Sequence, residues 1–145
     1  MTDTFLKKLP FPLGTVIRHK QFKGRFSKRL KPRYLIYFGK LDEIKVHVFF
    51  TTTTQVNYYR EGSRKSVPYH LFPEKHPCFT KECVLDVQVA YLIPESEIEK
   101  LKSRVEIKGR LSVEEFKQCL RAITYTDLYL DRVVYNYLRN LLFSL

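Results

Sequence analysis

KVHVFFTTTTQ, residues 45–55, is the stretch that decides the fold, because its side chains alternate with a period of two. That period is typical of a β-strand, whose successive side chains point to opposite faces of the sheet. The more apolar face comprises Val46, Val48, Phe50, Thr52 and Thr54. The opposite face comprises Lys45, His47, Phe49, Thr51 and Thr53. We therefore expect the valine face to be core, and Thr51 and Thr53 to be able to reach a ligand, although threonine also favours strands for packing reasons alone.

A second strand is predicted just before this one, and it begins among cations. Tyr34–Phe38 is a continuous apolar run of strand length that ends at Gly39. The four preceding cations are Lys28, Arg29, Lys31 and Arg33. A guanidinium matches phosphate oxygens bidentately and hydroxyls add further donors, so cations and threonines on neighbouring strands suit a phosphodiester.

The positive charge of the chain is concentrated in one segment. The formal charge of the 145 residues is +11, and between Thr4 and Leu41 there are eleven Lys or Arg but no Asp or Glu. Elsewhere the cations and the acids balance. Such an asymmetry points to a polyanionic partner, with nucleic acid as the first candidate and an anionic membrane surface as the second. A second basic tip lies at residues 60–65.

Helices are predicted towards the C-terminus, after mostly strands. Ser112 and Glu115 have capping-box spacing, which predicts a helix to about Ile123. Thr126 or Asp127 can cap a last helix, whose apolar residues follow helical spacing from Leu130 to Leu142. We expect this helix to close the barrel, to pair with its copy in a dimer, or to receive a partner segment. The order predicts a single domain, mainly β with C-terminal helices: a small barrel or curled sheet.

Histidines and cysteines give no clear site from spacing alone. His47 is interpreted as a surface histidine, and His19 as a phosphate contact within the basic segment. His70, His76, Cys78 and Cys83 match no common zinc spacing, so we expect no metal and no cofactor. Three cysteines without a pattern favour a reducing cytoplasm, and neither a signal peptide nor a run of roughly 18 apolar residues is recognisable.

Four motifs, in order, resemble the MazF/PemK family of toxin-like endoribonucleases. They are PLGTVI (Pro12–Ile17), KPRYLIYF (residues 31–38), VFFTTTTQ (Val48–Gln55) and KGRLSVEEF (Lys108–Phe116). The resemblance implies an SH3-like barrel with its closing helix at about residues 9–123, and it makes residues 124–145 an extra C-terminal helical extension.

The resemblance also implies metal-independent cleavage of single-stranded RNA. In that family an arginine at a strand start and a threonine at the end of the next strand act on the RNA, and the ribose 2′-hydroxyl attacks its own phosphate. Arg33 and Thr53, or Thr52, hold those positions here, although aligning the prolines instead places Lys31 at the arginine. The cations expected to fix the RNA backbone are Arg25, Lys28, Arg29, Lys31, Arg64 and Lys65.

The partners that the resemblance implies are an inhibitory antitoxin protein and a second copy of the chain in a homodimer. Two other functions fit the same sequence. The first is a non-catalytic SH3-like barrel that binds nucleic acid or a protein partner. The second is an interaction module whose last helix docks a partner.

Overall fold

The computed structural model describes residues 9–24 and 29–145. Six strands form one antiparallel sheet: β1 (Thr15–Lys23), β2 (Leu30–Leu41), β3 (Val46–Thr53), β4 (Leu71–Phe72), β5 (Cys83–Pro94) and β6 (Val105–Arg110). Their spatial order is β4-β5-β3-β2-β1-β6, and the sheet curls into a half-barrel. The predicted mainly β class with helices is thereby confirmed.

The basic segment and the strand after it form more sheet than the sequence predicted. β1 continues to Lys23, and β2 already begins at Leu30, whereas the predicted strand begins at Tyr34. The strand also runs through Gly39, which has a φ of +100° that glycine adopts without strain. Arg33 therefore lies within a paired strand, opposite His19 of β1, rather than at its start.

In the described part of the chain, four helices follow or connect the strands: α1 (Val56–Arg60), α2 (Ile98–Lys102), α3 (Val113–Ile123) and α4 (Arg132–Ser144). A 3-10 turn at Glu95–Glu97 precedes α2. Within residues 9–24 and 29–145, none of the helices combines the length and the apolarity needed to cross a membrane.

Apolar residues cover both faces of the sheet, whereas the sequence predicted one core face. The helix face carries Val16, Ile36, Phe38, Val48 and Phe50, and α3 and α4 pack on it. The opposite face, named the cavity face below, carries Ile17, Leu35, Tyr37 and Phe49, and Phe11, Ile98 and Leu101 cover part of it. The predicted alternation of β3 is confirmed, but its second face is buried as well because these residues pack against it.

The start of α3 was predicted correctly and the start of α4 was not. The Ser112 hydroxyl accepts a hydrogen bond from the Glu115 backbone N–H at 3.1 Å, as a helix cap does. For α4 the cap is Asp131, whose Oδ1 accepts from the Val133 N–H at 3.0 Å. The expected cap at Thr126 or Asp127 is wrong, because the segment between the two helices continues past both residues before α4 begins.

The last helix packs on the sheet, which was one of its three expected roles. Val134 and Leu138 are buried in the core of the helix face. The Tyr137 hydroxyl donates to the Phe38 carbonyl oxygen at 2.9 Å, directly over Gly39. A side chain at Gly39 would collide with that hydroxyl, so glycine is required there for the helix to lie so close.

Candidate functional site

A cavity of about 590 Å³ opens on the cavity face where β2 begins and β3 ends, and we name it the first cavity. The described residues that line it are Gly24, Arg33, Thr51, Thr53, Gln55, Arg64, Asp86, Gln88, Val89, Tyr91 and Tyr129. The sheet brings together Arg33 and Thr53, the two residues that the resemblance nominated. Among these described residues, two arginines and one aspartate give a formal excess of one positive charge.

Arg33 is the residue that most distinguishes this cavity. Its side chain is half-buried, on the same face as Leu35 and Tyr37 of β2. Within the residues that the structure describes, its guanidinium makes no hydrogen bond and no ion pair. A partly desolvated guanidinium without a protein partner keeps its five N–H donors available for an anionic ligand.

The threonines of β3 divide between the two faces of the sheet. Thr51 and Thr53 line the first cavity, and Thr53 Oγ1 also accepts from the Gln55 N–H at 3.2 Å. Thr52 points to the helix face, where it is 5% exposed and lies within hydrogen-bonding reach of the Cys83 thiol. Thr52 was considered an alternative to Thr53, and the pleat of the strand separates the two roles.

A hydrogen-bonded chain of side chains forms another wall of the first cavity. Arg64 Nη1 donates to the Tyr59 hydroxyl at 3.1 Å, and that hydroxyl donates to Asp86 Oδ1 at 3.3 Å. The Gln88 backbone N–H donates to the same oxygen at 3.2 Å. Burial, together with the Asp86 charge, raises the pKa of Tyr59 to about 12, so its hydroxyl stays protonated as the donor. Arg64 and Asp86 are thereby held in place.

Asp86 enters the site through an irregularity of β5 that the sequence did not show. In a regular strand, Asp86 and Gln88 would lie on one face, and Val89 and Tyr91 on the other. All four line the first cavity, because the register between β3 and β5 shifts between Phe50 and Thr52. Such shifts turn side chains towards functional sites. The only signal in the sequence was an acid inside an otherwise apolar strand.

The predicted backbone-binding cations do not all lie in one place. Arg25 and Lys28 lie outside the described residues. Arg64 lines the first cavity, whereas the exposed Lys65 and Arg29 line neither this cavity nor the one described next. Among the described members of the expected cationic surface, Arg64 and Lys31 each line a cavity with Arg33, and Lys65 and Arg29 do not.

Lys31 lines a smaller cavity of about 240 Å³, named the second cavity, on the other side of the same strand ends. Its lining is formed by Lys31, Pro32, Arg33, Tyr34, Thr52, Thr54, Phe79, Thr80, Lys81 and Cys83. Arg33 lines both cavities. Burial raises the pKa of the Cys83 thiol to about 11, so this sulfur is an unreactive thiol rather than a nucleophile.

The interpretation of His47 as a surface residue is wrong. Its side chain is fully buried, Nδ1 lies 2.7 Å from the Tyr37 hydroxyl, and Nε2 donates to the Glu95 carboxylate. Lys40 lies 3.6 Å from the same carboxylate. The residues of α2 and Phe11 cover this part of the sheet, and the imidazole acts there as a structural link.

His19 also differs from its prediction as a phosphate contact. It is 8% exposed, its Nδ1 accepts from the Gln21 N–H at 3.2 Å, and its ring packs edge-on against Phe22. Burial, and then the Arg104 charge, lowers the pKa of His19. A neutral, buried imidazole is poorly suited to hold phosphate.

His70 and His76 both contact one carboxylate, that of Glu115. Their Nε2 atoms lie 3.2 and 2.6 Å from the two oxygens of Glu115 on α3. His76 Nδ1 accepts from the Cys78 N–H at 3.1 Å, so its Nε2 carries the proton that it donates to Glu115. In the described part of the chain, no three His, Cys, Asp or Glu side chains are placed to hold a metal ion.

Fold and cavity define this protein as a β half-barrel with an arginine- and threonine-lined cleft at its strand ends. No protein-family model matches the chain, and no curated protein shows a significant match to it. Evidence about function therefore comes from the chemistry of the cleft.

Proposed function

We propose that the protein is a MazF/PemK-like, SH3-like barrel that binds single-stranded RNA in the first cavity and cleaves it without a metal ion. The observation that carries the proposal is the half-buried Arg33 guanidinium, which lacks a partner among the described residues and shares one cavity with Thr51 and Thr53.

The lining of the first cavity suits a nucleotide better than a free anion. Arg33 and Arg64 supply cationic donors, and the threonines supply hydroxyls, so a phosphodiester can be held at one wall. Tyr91 and Tyr129 supply aromatic surface on which an unpaired base can stack. The volume of about 590 Å³ exceeds what one phosphate group requires and leaves room for the ribose and base.

The proposed reaction is an internal transesterification. The ribose 2′-oxygen attacks the adjacent phosphorus and loses its proton, while the bond from phosphorus to the 5′-oxygen breaks. The products are a 2′,3′-cyclic phosphate and a 5′-hydroxyl, whose proton comes from solvent. Arg33 stabilises the charge that develops on the phosphorane oxygens, and Thr53 orients the phosphate by a hydrogen bond.

Asp86 is the proton acceptor in this proposal, because an arginine is protonated at any pH of interest and a threonine hydroxyl is not a base. Within the described residues, both hydrogen bonds to its carboxylate end on Oδ1, so Oδ2 remains available. Tyr59 and the Gln88 N–H fix the orientation of the carboxylate, as a general base requires.

Homodimerisation, an inhibitory antitoxin and a cytoplasmic location belong to the same proposal. The first two come from the resemblance and the apolar last helix, and the location comes from the unpaired cysteines. All three stay predictions.

The test is incubation of the purified protein with end-labelled single-stranded RNA in EDTA. We expect fragments that end in a 2′,3′-cyclic phosphate. Asp86→Asn keeps the acceptor for Tyr59 but should lower the rate about 10²–10⁴-fold, because an amide does not accept the proton of the 2′-hydroxyl. Tyr59→Phe retains the carboxylate and removes the hydroxyl that orients it, so it should lower the rate less than Asp86→Asn does. Salt-dependent RNA binding without any cleavage by the wild-type protein would instead support the non-catalytic alternative.

A further inference from the structure

We infer that the second cavity is a separate phosphate-binding site, which holds the phosphodiester next to the one at Arg33 when a single strand of RNA crosses the ends of β2 and β3. This inference rests on the proposed function, and it adds a second contact point to the substrate. The ligand is consequently an extended strand with at least two phosphates, rather than a mononucleotide or a strand end.

The charge of the second cavity is the first reason. Arg33, Lys31 and Lys81 line it, and none of the described lining residues is an acid. The two ammonium groups make no ion pair within residues 9–24 and 29–145. Glu82, which directly follows Lys81 in the sequence, accepts a hydrogen bond from Arg60 Nη2 at 3.2 Å, so its charge is already paired with that of an arginine. A hollow lined by three cations and no described acid favours an anion more strongly than the first cavity does.

The hydroxyls and the walls of the second cavity are the next reason. Thr54 and Thr80 line it, and the Thr80 hydroxyl has only a long contact of 3.4 Å with the Tyr34 hydroxyl. Tyr34 and Phe79 pack edge to face, with ring centroids 5.3 Å apart, and give the cavity a firm wall. A volume of about 240 Å³ accommodates a phosphate group with part of a ribose, but not a whole stacked nucleotide.

The shared position of Arg33 connects the two cavities. Lys31 and Arg33 are two residues apart on β2, and Thr52 and Thr54 follow the same pattern on and beyond β3. A strand that enters the first cavity therefore passes the Arg33 guanidinium before it reaches Lys31 and Lys81. A polymer with regularly spaced charges fits this order, whereas a compact anion would occupy one cavity only.

The experiment measures the binding of non-cleavable, fully 2′-deoxy oligonucleotides by fluorescence anisotropy. The probes are a dinucleotide with one phosphodiester and a hexanucleotide with five, each at several salt concentrations. Lys81→Gln should weaken the binding of the hexanucleotide about tenfold, because one charge-assisted contact is lost. The binding of the dinucleotide should be unchanged. For the hexanucleotide, the slope of the logarithm of the binding constant against the logarithm of the salt concentration should decrease in magnitude by about 0.7. This is the value for one phosphate contact on a single strand.

Lys75→Gln is the matched control, because Lys75 is exposed and lines neither cavity. Equal weakening by Lys81→Gln and Lys75→Gln would reduce the effect to general surface charge and overturn the inference, even if the wild-type protein cleaves RNA. Equal weakening of both probes by Lys81→Gln would overturn it too, since one cavity would then hold the whole contact. Absence of hexanucleotide binding by the wild-type protein would overturn the proposed function together with the inference.

Discussion

Polar side chains of β2 and β3 lie at both ends of the cavity face, but among the described residues they are hydrogen-bonded to one another at one end only. Tyr37 and His47 lie four residues from Arg33 and Thr51 on the same strands and the same face. At the first end, α2 and Phe11 cover the sheet, and Tyr37, His47 and Glu95 bond to one another. At the other end, the Arg33 guanidinium has no partner among the described residues.

This difference separates polar groups that are satisfied within the fold from a polar group that remains available to a ligand. A polar group that is buried without a ligand needs a protein partner, because an unsatisfied donor or acceptor costs free energy. The Tyr37–His47–Glu95 set meets that need within the fold. The Arg33 end does not, and it faces open cavities, so its donors are available to a ligand.

The substitution Arg33→Lys is the most direct test of the difference between the two ends, and we expect it to have the largest effect. A lysine keeps the charge but not the bidentate fork, so we expect cleavage to fall about 10²–10³-fold while the unfolding midpoint hardly moves. The measurements are kcat/KM on labelled RNA and a denaturant curve. Lys75→Gln, at an exposed lysine outside both cavities, should retain full activity. Unchanged cleavage by Arg33→Lys would contradict the role given to the guanidinium.

At the closed end, His47→Phe should have the reverse effect. The phenyl ring removes both hydrogen bonds of the imidazole and leaves the buried Tyr37 hydroxyl without its partner, so we expect a loss of about 2–3 kcal/mol in the free energy of unfolding. Cleavage per folded molecule should be unchanged. The double variant with Tyr37→Phe should lose less than the sum of the two single losses, since both partners are then absent. An additive loss would show that the pair is not coupled.

A smaller effect is expected from Thr53→Val, because the shape of the side chain is kept and one hydroxyl is lost. We expect about tenfold slower cleavage, the effect of one hydrogen bond to a charged group. Thr52→Val is the control on the opposite face, and its rate should stay within about twofold of the wild type, although its contact with the Cys83 thiol is lost. The reverse order of the two rates would place the reactive hydroxyl on the helix face.

The smallest effect concerns acid stability. The hydrogen bond from His47, and then the Lys40 charge, lowers the pKa of Glu95 below its ordinary value of 4.5. A carboxyl group with a lowered folded-state pKa stabilises the fold above its unfolded pKa, and this contribution is lost as the pH falls through the folded value. Urea midpoints between pH 7 and pH 3 should therefore decrease less steeply for Glu95→Gln than for the wild type.

Glu97→Gln serves as the control for this pH series, because Glu97 is exposed and has no ion pair within the described residues. The Glu95 side chain is 43% exposed, so water screens its interactions and the difference in slope should be modest. Identical slopes for Glu95→Gln and the wild type would show that another group controls acid unfolding.

Local patterns in the sequence predicted the parts of the fold that depend on neighbours along the chain. The alternation of residues 45–55 predicted β3 and placed Thr51 and Thr53 together, and the spacing of Ser112 and Glu115 predicted the start of α3. Long-range contacts were not predictable in this way. His47 becomes buried because Phe11 and α2 cover it. The Glu115 carboxylate is hydrogen-bonded to His70 and His76, which lie 45 and 39 residues away in the sequence.

The site was predictable to the same extent as the fold. Arg33 and Thr53 came from short motifs, and both line the first cavity. Asp86 was not predicted by any short motif. It reaches the cavity through a register shift between β3 and β5, and that shift depends on how two whole strands pair. The second cavity was missed for a related reason: Lys31 and Lys81 are 50 residues apart and meet only when β2 and the segment before β5 come together.

The contact of Tyr137 with Phe38 above Gly39 makes the C-terminal segment a structural part of the cleft. The helix is anchored to the strand that carries Arg33, and Tyr129, a few residues before that helix, lines the first cavity. Deleting the tail would remove one wall of the first cavity and expose the strand beneath. Shortened versions of this chain would accordingly lose nucleotide affinity along with any partner, so single substitutions are the better means of separating the two.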